Sequence, residues 1–145
     1  MSRQINITSA DLAEKMVAFV RAFGLHRPEE TPCGEALPVA EAHALMDLSR
    51  RGPMSHGQLA ICLRLEKSTV TRLARQLEKR QWIERFGSKR DGRVLLIRLS
   101  KRGRRAALRL EKARRTKFEH LLSAIPSDKR ASVIKTLCVL LEAME

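Results

Sequence analysis

Aromatic residues are scarce in this chain: they make up 3% of its 145 residues, with Trp82 alone and no tyrosine. Single-stranded nucleic acid is usually bound by stacking bases on aromatic side chains, so this mode is disfavoured. No apolar run approaches the roughly 18 to 20 residues that cross a bilayer. The start Met-Ser-Arg-Gln-Ile-Asn lacks the apolar core of a signal peptide. We therefore expect a cytoplasmic protein that does not bind membranes.

Potential metal ligands and catalytic motifs are also sparse. The three cysteines are widely spaced, and no pair of cysteines or histidines has the spacing C-x-x-C or H-x-x-x-H. There is no nucleophile motif, no phosphate-binding glycine loop and no acid pair placed for catalysis, so we expect neither a metal, nor another cofactor, nor an enzyme. Cys62 and Cys138 lie on apolar helical faces and are expected in the core. Cys33 is either a redox sensor or a surface cysteine without function.

Positive charge, in contrast, is abundant and local. Residues 50–105 hold 17 Lys and Arg against four acids, and the whole chain has a net charge of +13. A field of this size concentrates phosphate polymers, and each phosphate that is neutralised releases a counterion. The hydrophobic fraction of 43% excludes a disordered basic tail. Because aromatic platforms are lacking, the expected partner is double-stranded nucleic acid.

Hydrophobic periodicity and turn residues divide the chain into helices and one hairpin. Ser55 and Gln58 form a capping box that starts a short helix. A second helix follows after a tight turn, and a hairpin with a basic tip comes next, which together make a winged-helix arrangement. The last helix is apolar on more than one stripe, which favours packing against a partner. The predicted helices cover residues 9–23, 39–50, 55–65, 67–80, 101–124 and 126–145, and the predicted strands cover residues 82–86 and 93–99.

Five motifs, in this order, carry a resemblance to a known family. They are Ser55-His-Gly-Gln-Leu-Ala, Lys67-Ser-Thr-Val-Thr-Arg-Leu-Ala-Arg-Gln-Leu-Glu-Lys, Ile83-Glu-Arg, Asp91-Gly-Arg and Leu99-Ser-Lys-Arg-Gly. The set resembles the multiple antibiotic resistance regulator (MarR) family over residues 39–107.

The resemblance implies a mainly α fold with a small β-hairpin wing, an α+β winged helix-turn-helix. It further implies a homodimeric transcription regulator, most often a repressor, that binds a pseudo-palindromic DNA site. Residues 39–104 would then form the DNA-binding domain, and residues 1–38 and 105–145 the helices of the dimer.

The predicted helix over residues 67–80 is the candidate reading helix. With Val70, Leu73, Ala74 and Leu77 facing the core, its opposite face is expected to enter the major groove. Arginines there can bond guanine bidentately, and hydroxyls can reach a phosphate or a base edge. The simpler alternative is a solvated charged face. The candidate DNA-binding residues, with those at the start of the preceding helix and in the hairpin, are Ser55, His56, Gln58, Lys67, Ser68, Thr69, Thr71, Arg72, Arg75, Lys89, Arg90 and Arg93.

Two details of this interface stay open at the level of sequence. The resemblance implies that a wing arginine enters the minor groove, and either Arg90 or Arg93 can supply it. Asp91 is expected to orient that arginine, whereas Asp91 followed by Gly92 is also ordinary turn chemistry. Glu66 stands where a Ser or Asp cap is more usual, which leaves the first residue of the reading helix undefined.

Many relatives in the family bind a small aromatic or phenolic effector between the dimer helices and the winged domain. The candidate pocket residues are Phe19, Phe23, His43 and Met46, with a cation from Arg21 or Arg109; ordinary core and surface is the alternative. Two other functions compete with a sequence-specific regulator. One is an interaction module that docks on an acidic protein, and the other is an architectural protein that binds DNA without sequence preference.

Overall fold

A computed structural model describes residues 6–145, so residues 1–5 of the predicted dimerisation segment lie outside the described part. The architecture is mainly helical with one small sheet, as predicted. The helices are α1 (Ser9–Phe23), α2 (Val39–Arg51), α3 (His56–Leu63), α4 (Lys67–Lys79), α5 (Lys101–Ala124) and α6 (Arg130–Glu142), and the strands are β1 (Met54–Ser55), β2 (Ile83–Gly87) and β3 (Leu95–Leu99).

Local capping chemistry sets several of these boundaries. At the start of α3, the backbone N–H of Gln58 donates to Ser55 Oγ (3.2 Å) and the backbone N–H of Ser55 donates to Gln58 Oε1 (2.9 Å), which confirms the capping box. Gly24 ends α1 with a φ of 89°, a conformation that glycine adopts without strain. Arg64 adopts the same left-handed region after α3, with a φ of 52°. The tight turn between α3 and α4 therefore depends on a non-glycine residue.

The predicted hairpin is confirmed, with a third short strand added. The strands are antiparallel in the order β1-β3-β2, and Ile83 pairs with Leu99 at the base while Gly87 pairs with Leu95 near the tip. The second strand begins at Leu95 rather than at residue 93, because residues 88–94 close the turn with their own backbone hydrogen bonds. A single 3₁₀ turn over Ser127–Lys129 precedes α6 and replaces the first turn of the predicted last helix.

The core lies where α2, α3, α4 and α5 meet the sheet. Leu45, Leu59, Leu77, Ile97 and Val70 are its largest fully buried side chains. The same core includes Leu37 and α5 residues Ala106, Ala107 and Leu110, so it extends past both predicted ends of the winged domain.

The two terminal helices behave differently from this core. No residue of α1 or α6 is buried within the described chain, although both carry large apolar side chains. Cys138 on α6 is exposed, so its predicted place in the core is wrong for the single chain: nothing in residues 6–145 covers that side of α6. Cys62 packs against the core as predicted.

Candidate nucleic-acid interface

The face of α4 that points away from the core presents polar and cationic side chains. All four residues predicted to face inward are buried. Ser68, Arg72, Arg75 and Lys79 are exposed and follow one another at intervals of four, three and four residues, which aligns them along the helix. Lys79 is absent from the predicted DNA-binding set, although the same spacing rule places it on this line.

The flanks of that line are less open. Thr69 and Thr71 are partly buried, and the Thr71 hydroxyl donates to the carbonyl oxygen of Lys67 at 3.0 Å. In the free protein the Thr71 hydroxyl hydrogen is therefore bonded within the helix, while the hydroxyl oxygen can still accept a hydrogen bond. Lys67 is exposed and is the first residue of α4, which answers the question that Glu66 left open.

The start of α3 offers a second group of donors. Ser55 and Gln58 use one polar group each in the capping box, which leaves the Ser55 hydroxyl hydrogen and the Gln58 side-chain NH₂ free to donate. The first backbone amides of α3 point out of the helix at the positive end of its dipole. Such an arrangement suits a phosphate oxygen.

His56, one of the candidate DNA-binding residues, is not fully exposed. It is partly buried, and its Nε2 atom is buried without a hydrogen-bond partner among the described residues. Burial lowers the pKa of His56, and the guanidinium of Arg85 lowers it further. Because the ring is neutral at pH 7, His56 adds no formal charge to the surface, and any phosphate contact there depends on the neutral donors beside it.

The tip of the hairpin carries the second cluster of cations. Lys89, Arg90 and Arg93 are all exposed in residues 88–94. The Ser88 Oγ atom accepts the backbone N–H of Arg90 at 3.2 Å, which tightens the turn. Both arginines remain available to a ligand, and the structure of the free chain does not select between them.

Asp91 acts on the backbone of this turn. Its Oδ1 atom accepts the backbone N–H of Arg93 at 3.0 Å, and no arginine side chain pairs with it among the described residues. The prediction that Asp91 fixes an arginine rotamer is therefore wrong for the free protein. An Asp carboxylate closes readily on the amide two residues later, and here that local bond is the one observed.

Ion pairing removes several other cations of residues 50–105 from the interface. Arg85 donates to Glu78 at 2.9 Å and Arg98 donates to Glu84 at 3.1 Å. Arg80 donates to Glu41 at 3.1 Å and lies over the Trp82 ring. Burial raises the pKa of the Glu41 carboxyl, and the adjacent Arg80 opposes that rise.

The remaining acids of residues 50–105 do not pair with the cations of α4 or of the wing tip. Glu66 precedes α4 without a capping bond, and Asp91 is held by the wing backbone. Among residues 6–145, no carboxylate pairs with the arginines of the exposed α4 line or with the wing-tip cations. Within residues 50–105, the cations without acidic partners consequently lie on α4, at the wing tip and at the start of α5.

A cavity of about 680 Å³ lies behind this interface, between α2, α5 and the loop after α1. Phe23, His43 and Met46 line it, as predicted. Phe19 does not line it; its ring stacks on Phe23 with centroids 5.6 Å apart. Three of the four predicted residues thus line one cavity, with Phe19 as an outer neighbour, and its use as an effector site stays a prediction.

The cation of this cavity is not one of those predicted. Arg21 does not line it, and Arg109 faces a separate groove on α5. Arg50, Arg64 and Arg114 line it instead, but Arg50 pairs with Asp47 at 3.2 Å and Arg64 with Glu145 at 3.3 Å. Arg114 has no acidic partner among the described residues. The four-residue spacing of Leu110, Arg114 and Phe118 could have indicated this face of α5.

Comparison with known proteins identifies the helix-turn-helix and wing. Residues 37–95 match the model of the MarR family, a segment that contains α2, β1, α3, α4 and most of the wing. This segment of the chain is therefore similar to the MarR family. The free cations of α4 and of the wing tip lie within the matched segment.

Similarity to other proteins extends beyond that segment. An uncharacterised helix-turn-helix transcriptional regulator of Mycobacterium leprae is 24% identical over 94% of this chain and 92% of its own length. The crystal structure of Streptococcus pneumoniae FabT in complex with DNA has a TM-score of 0.79 at 20% identity, covering 93% of this chain and 96% of that one. Streptomyces coelicolor PcaV, in complex with its natural ligand, has a TM-score of 0.72 at 18% identity, covering 100% and 99%. These structures share the fold.

Within residues 6–145, no helix is both long and apolar enough to cross a membrane. Within the same residues, no three His, Cys, Asp or Glu side chains gather into a group that could hold a metal ion.

Proposed function

We propose that this protein is a DNA-binding transcription regulator of the MarR family and acts in the cytoplasm as a homodimer on a pseudo-palindromic operator, most simply as a repressor and without catalysis. The observation that carries the proposal is the line Ser68-Arg72-Arg75-Lys79 on α4, exposed and without acidic partners, beside a cationic wing tip. A helix with this face fits the major groove, where arginine can bond guanine bidentately. FabT, which shares the fold, is known in complex with DNA.

The terminal helices support the homodimer. Leu12 and Phe19 on α1 are 51% and 49% exposed, and Ile134 and Leu141 on α6 are 58% and 55% exposed. Exposing apolar area of this extent to water is unfavourable. A second copy of the chain that covers the area removes this free-energy cost. Two copies related by a two-fold axis would present two α4 helices, and a pseudo-palindromic site matches that symmetry.

The test of this function is selection from random duplex DNA, followed by affinity measurement at two salt concentrations. We expect an inverted repeat in the selected pool. If each protomer neutralises about five phosphates, the slope of log affinity against log salt should be about −9. Sedimentation should give twice the chain mass of 16.5 kDa.

Other results of this selection would favour the competing functions. An acidic-protein docking module would show no sequence preference and little duplex affinity. An architectural protein would bind unselected duplex as tightly as the selected site. A species of 16.5 kDa alone at micromolar concentration would contradict the two-headed arrangement.

We also propose that the 680 Å³ cavity takes a small aromatic or phenolic acid that releases the DNA. The volume of this cavity lies in the usual range for small-ligand sites. The rings of Phe23 and Phe118, with centroids 5.7 Å apart, form an aromatic wall. Arg114 is the free cation for the acid group. Such a ligand releases DNA only if it favours a protein conformation that binds the operator poorly.

Replacing Arg114 with alanine tests the proposed cavity ligand. We expect Arg114→Ala to weaken binding of 2-hydroxybenzoate by about 10- to 100-fold, because a hydrogen bond to a charged group contributes about 1.5 to 3 kcal/mol. Calorimetric titration measures the affinity. Arg115→Ala is the matched control, since Arg115 is adjacent, pairs with Glu111 at 3.6 Å and does not line the cavity. Equal affinities in both variants would contradict the assignment.

A further inference from the structure

A second concave surface lies on the outer side of α5, separate from the interface and cavity described above. It is a groove of about 520 Å³ between α5 and the loop that contains Cys33 and Glu35. Cys33 also lines the 680 Å³ cavity, so the two concavities flank this residue. The remaining lining is contributed by α5.

The groove is strongly cationic. Arg109, Lys112 and Lys117 line it, and Glu35 is its one carboxylate among the described lining residues. The nearest acid on the helix, Glu111, faces the other cavity and pairs with Arg115 at 3.6 Å. None of the three cations has an acidic partner within residues 6–145. Three like charges in one concave site repel one another, and an anion between them removes that cost.

The helical spacing brings donors onto one side of the groove. Arg109, Lys112 and Thr116 follow at intervals of three and four residues, so successive side chains are neighbours about 5 to 6 Å apart at Cβ. Arginine offers a planar fork for phosphate, lysine offers a point charge, and threonine offers a neutral donor. His120 extends the same face by one further turn.

This groove differs from the apolar dimer surface proposed on α1 and α6 and from the DNA-reading surface on α4. Ala113 is its only aliphatic lining residue, so it lacks the large apolar side chains that α1 and α6 expose. The wing tip is at the far end of the hairpin from Leu99, and α5 starts beside Leu99. Arg109 is eight residues beyond Lys101, about 12 Å farther along the helix axis.

We propose that this groove is a second ligand site, for a small molecule that carries a diphosphate or a longer phosphate chain. A single phosphate can satisfy two neighbouring side chains, but the donors from Arg109 to Thr116 span two helical turns, about 10 Å along the axis. Two linked phosphates match that extent and the excess of positive charge. The site lies apart from the DNA-reading surface on α4 and shares only Cys33 with the 680 Å³ cavity.

Calorimetric titration with inorganic diphosphate tests the proposal on the full-length protein. The double variant R109A/K112A removes two groove cations, and we expect it to weaken diphosphate binding at least tenfold. The matched control is K101A/R105A, which removes the same charge from the same helix outside the groove. We expect the control to bind diphosphate within twofold of the unmodified protein. Equal weakening in both variants, or no binding by the unmodified protein, would overturn the site.

Two more titrations distinguish a diphosphate site in this groove from a monophosphate site and from anion binding on α4. Orthophosphate should bind at least tenfold more weakly than diphosphate, and equal affinities would overturn the diphosphate assignment. The Arg72→Ala protein should retain diphosphate binding, and its loss would show that the anion occupies the DNA-reading surface instead.

Alkylation of Cys33 gives a readout that needs no variant. Diphosphate should slow iodoacetamide modification of Cys33 severalfold, as followed by peptide mass spectrometry. If diphosphate binds and Cys33 reacts at an unchanged rate, the anion lies elsewhere and the proposal is wrong.

Discussion

The Gly103→Ala protein is expected to lose about 3 kcal/mol of unfolding free energy, at the upper end of what overpacking costs. A Cβ atom at this position would overlap the carbonyl oxygen of Trp82 and lie 2.8 Å from its carbonyl carbon. Both are backbone atoms, and the same carbonyl accepts the N–H of Ser100 at 2.9 Å. The clash cannot be relieved by rotating a side chain, so the start of α5 must move away from the sheet.

Thermal unfolding measures this loss, which corresponds to a fall in Tm of about 10 °C for a chain of this size. Gly92→Ala is the control, because a Cβ atom there meets no atom within 4 Å. We expect Gly92→Ala to change the unfolding free energy by less than about 0.5 kcal/mol, as for ordinary surface substitutions. Similar stability of the two variants would contradict the close packing of α5 on Trp82.

The Arg72→Ala protein is expected to lose about 1 to 3 kcal/mol of affinity for its selected operator, and to relax its preference at one base pair of each half-site. Arg72 is exposed in the middle of the α4 line and has no acidic partner among the described residues. Its loss would therefore remove a base contact without breaking an intramolecular bond. Fluorescence anisotropy with the selected duplex and its single-base variants measures both effects.

The control for Arg72→Ala is Arg105→Ala, which removes the same charge from the exposed side of α5. We expect Arg105→Ala to weaken binding slightly and equally for all duplex sequences. A loss of affinity in Arg72→Ala that is uniform across sequences would mean that Arg72 contacts phosphate. In that case α4 would position the protein without reading bases.

Much of the fold was predictable because short-range chemistry determines it. The Ser55 and Gln58 capping box, the glycine after α1 and the inward face of α4 each depend on residues within four positions of one another. The 3.6-residue period then places Arg72 opposite the buried residues Val70 and Ala74 without knowledge of the tertiary structure. The exposed line on α4 follows from the same period.

The incorrect predictions concern side chains whose partners are selected by tertiary structure. Asp91 could bond an arginine side chain or a backbone amide, and only the turn geometry selects the amide of Arg93. Arg114, rather than Arg21 or Arg109, lines the cavity because the loop after α1 crosses one particular side of α5. Cys138 has apolar neighbours in the sequence, but its side chain is exposed in the single chain. These outcomes depend on long-range placement, which local periodicity does not specify.

We propose that Arg72 reads a guanine edge from the major groove, and a double-substitution cycle measures this contact. The affinities of the unmodified protein and of Arg72→Ala are measured on the selected operator and on the same operator with 7-deazaguanine at the most strongly preferred guanine. Removing N7 should reduce the binding free energy of the unmodified protein by about 1 kcal/mol or more and that of Arg72→Ala by almost nothing. The losses from the protein substitution and from the base substitution should therefore not add. Fully additive losses would contradict the claim.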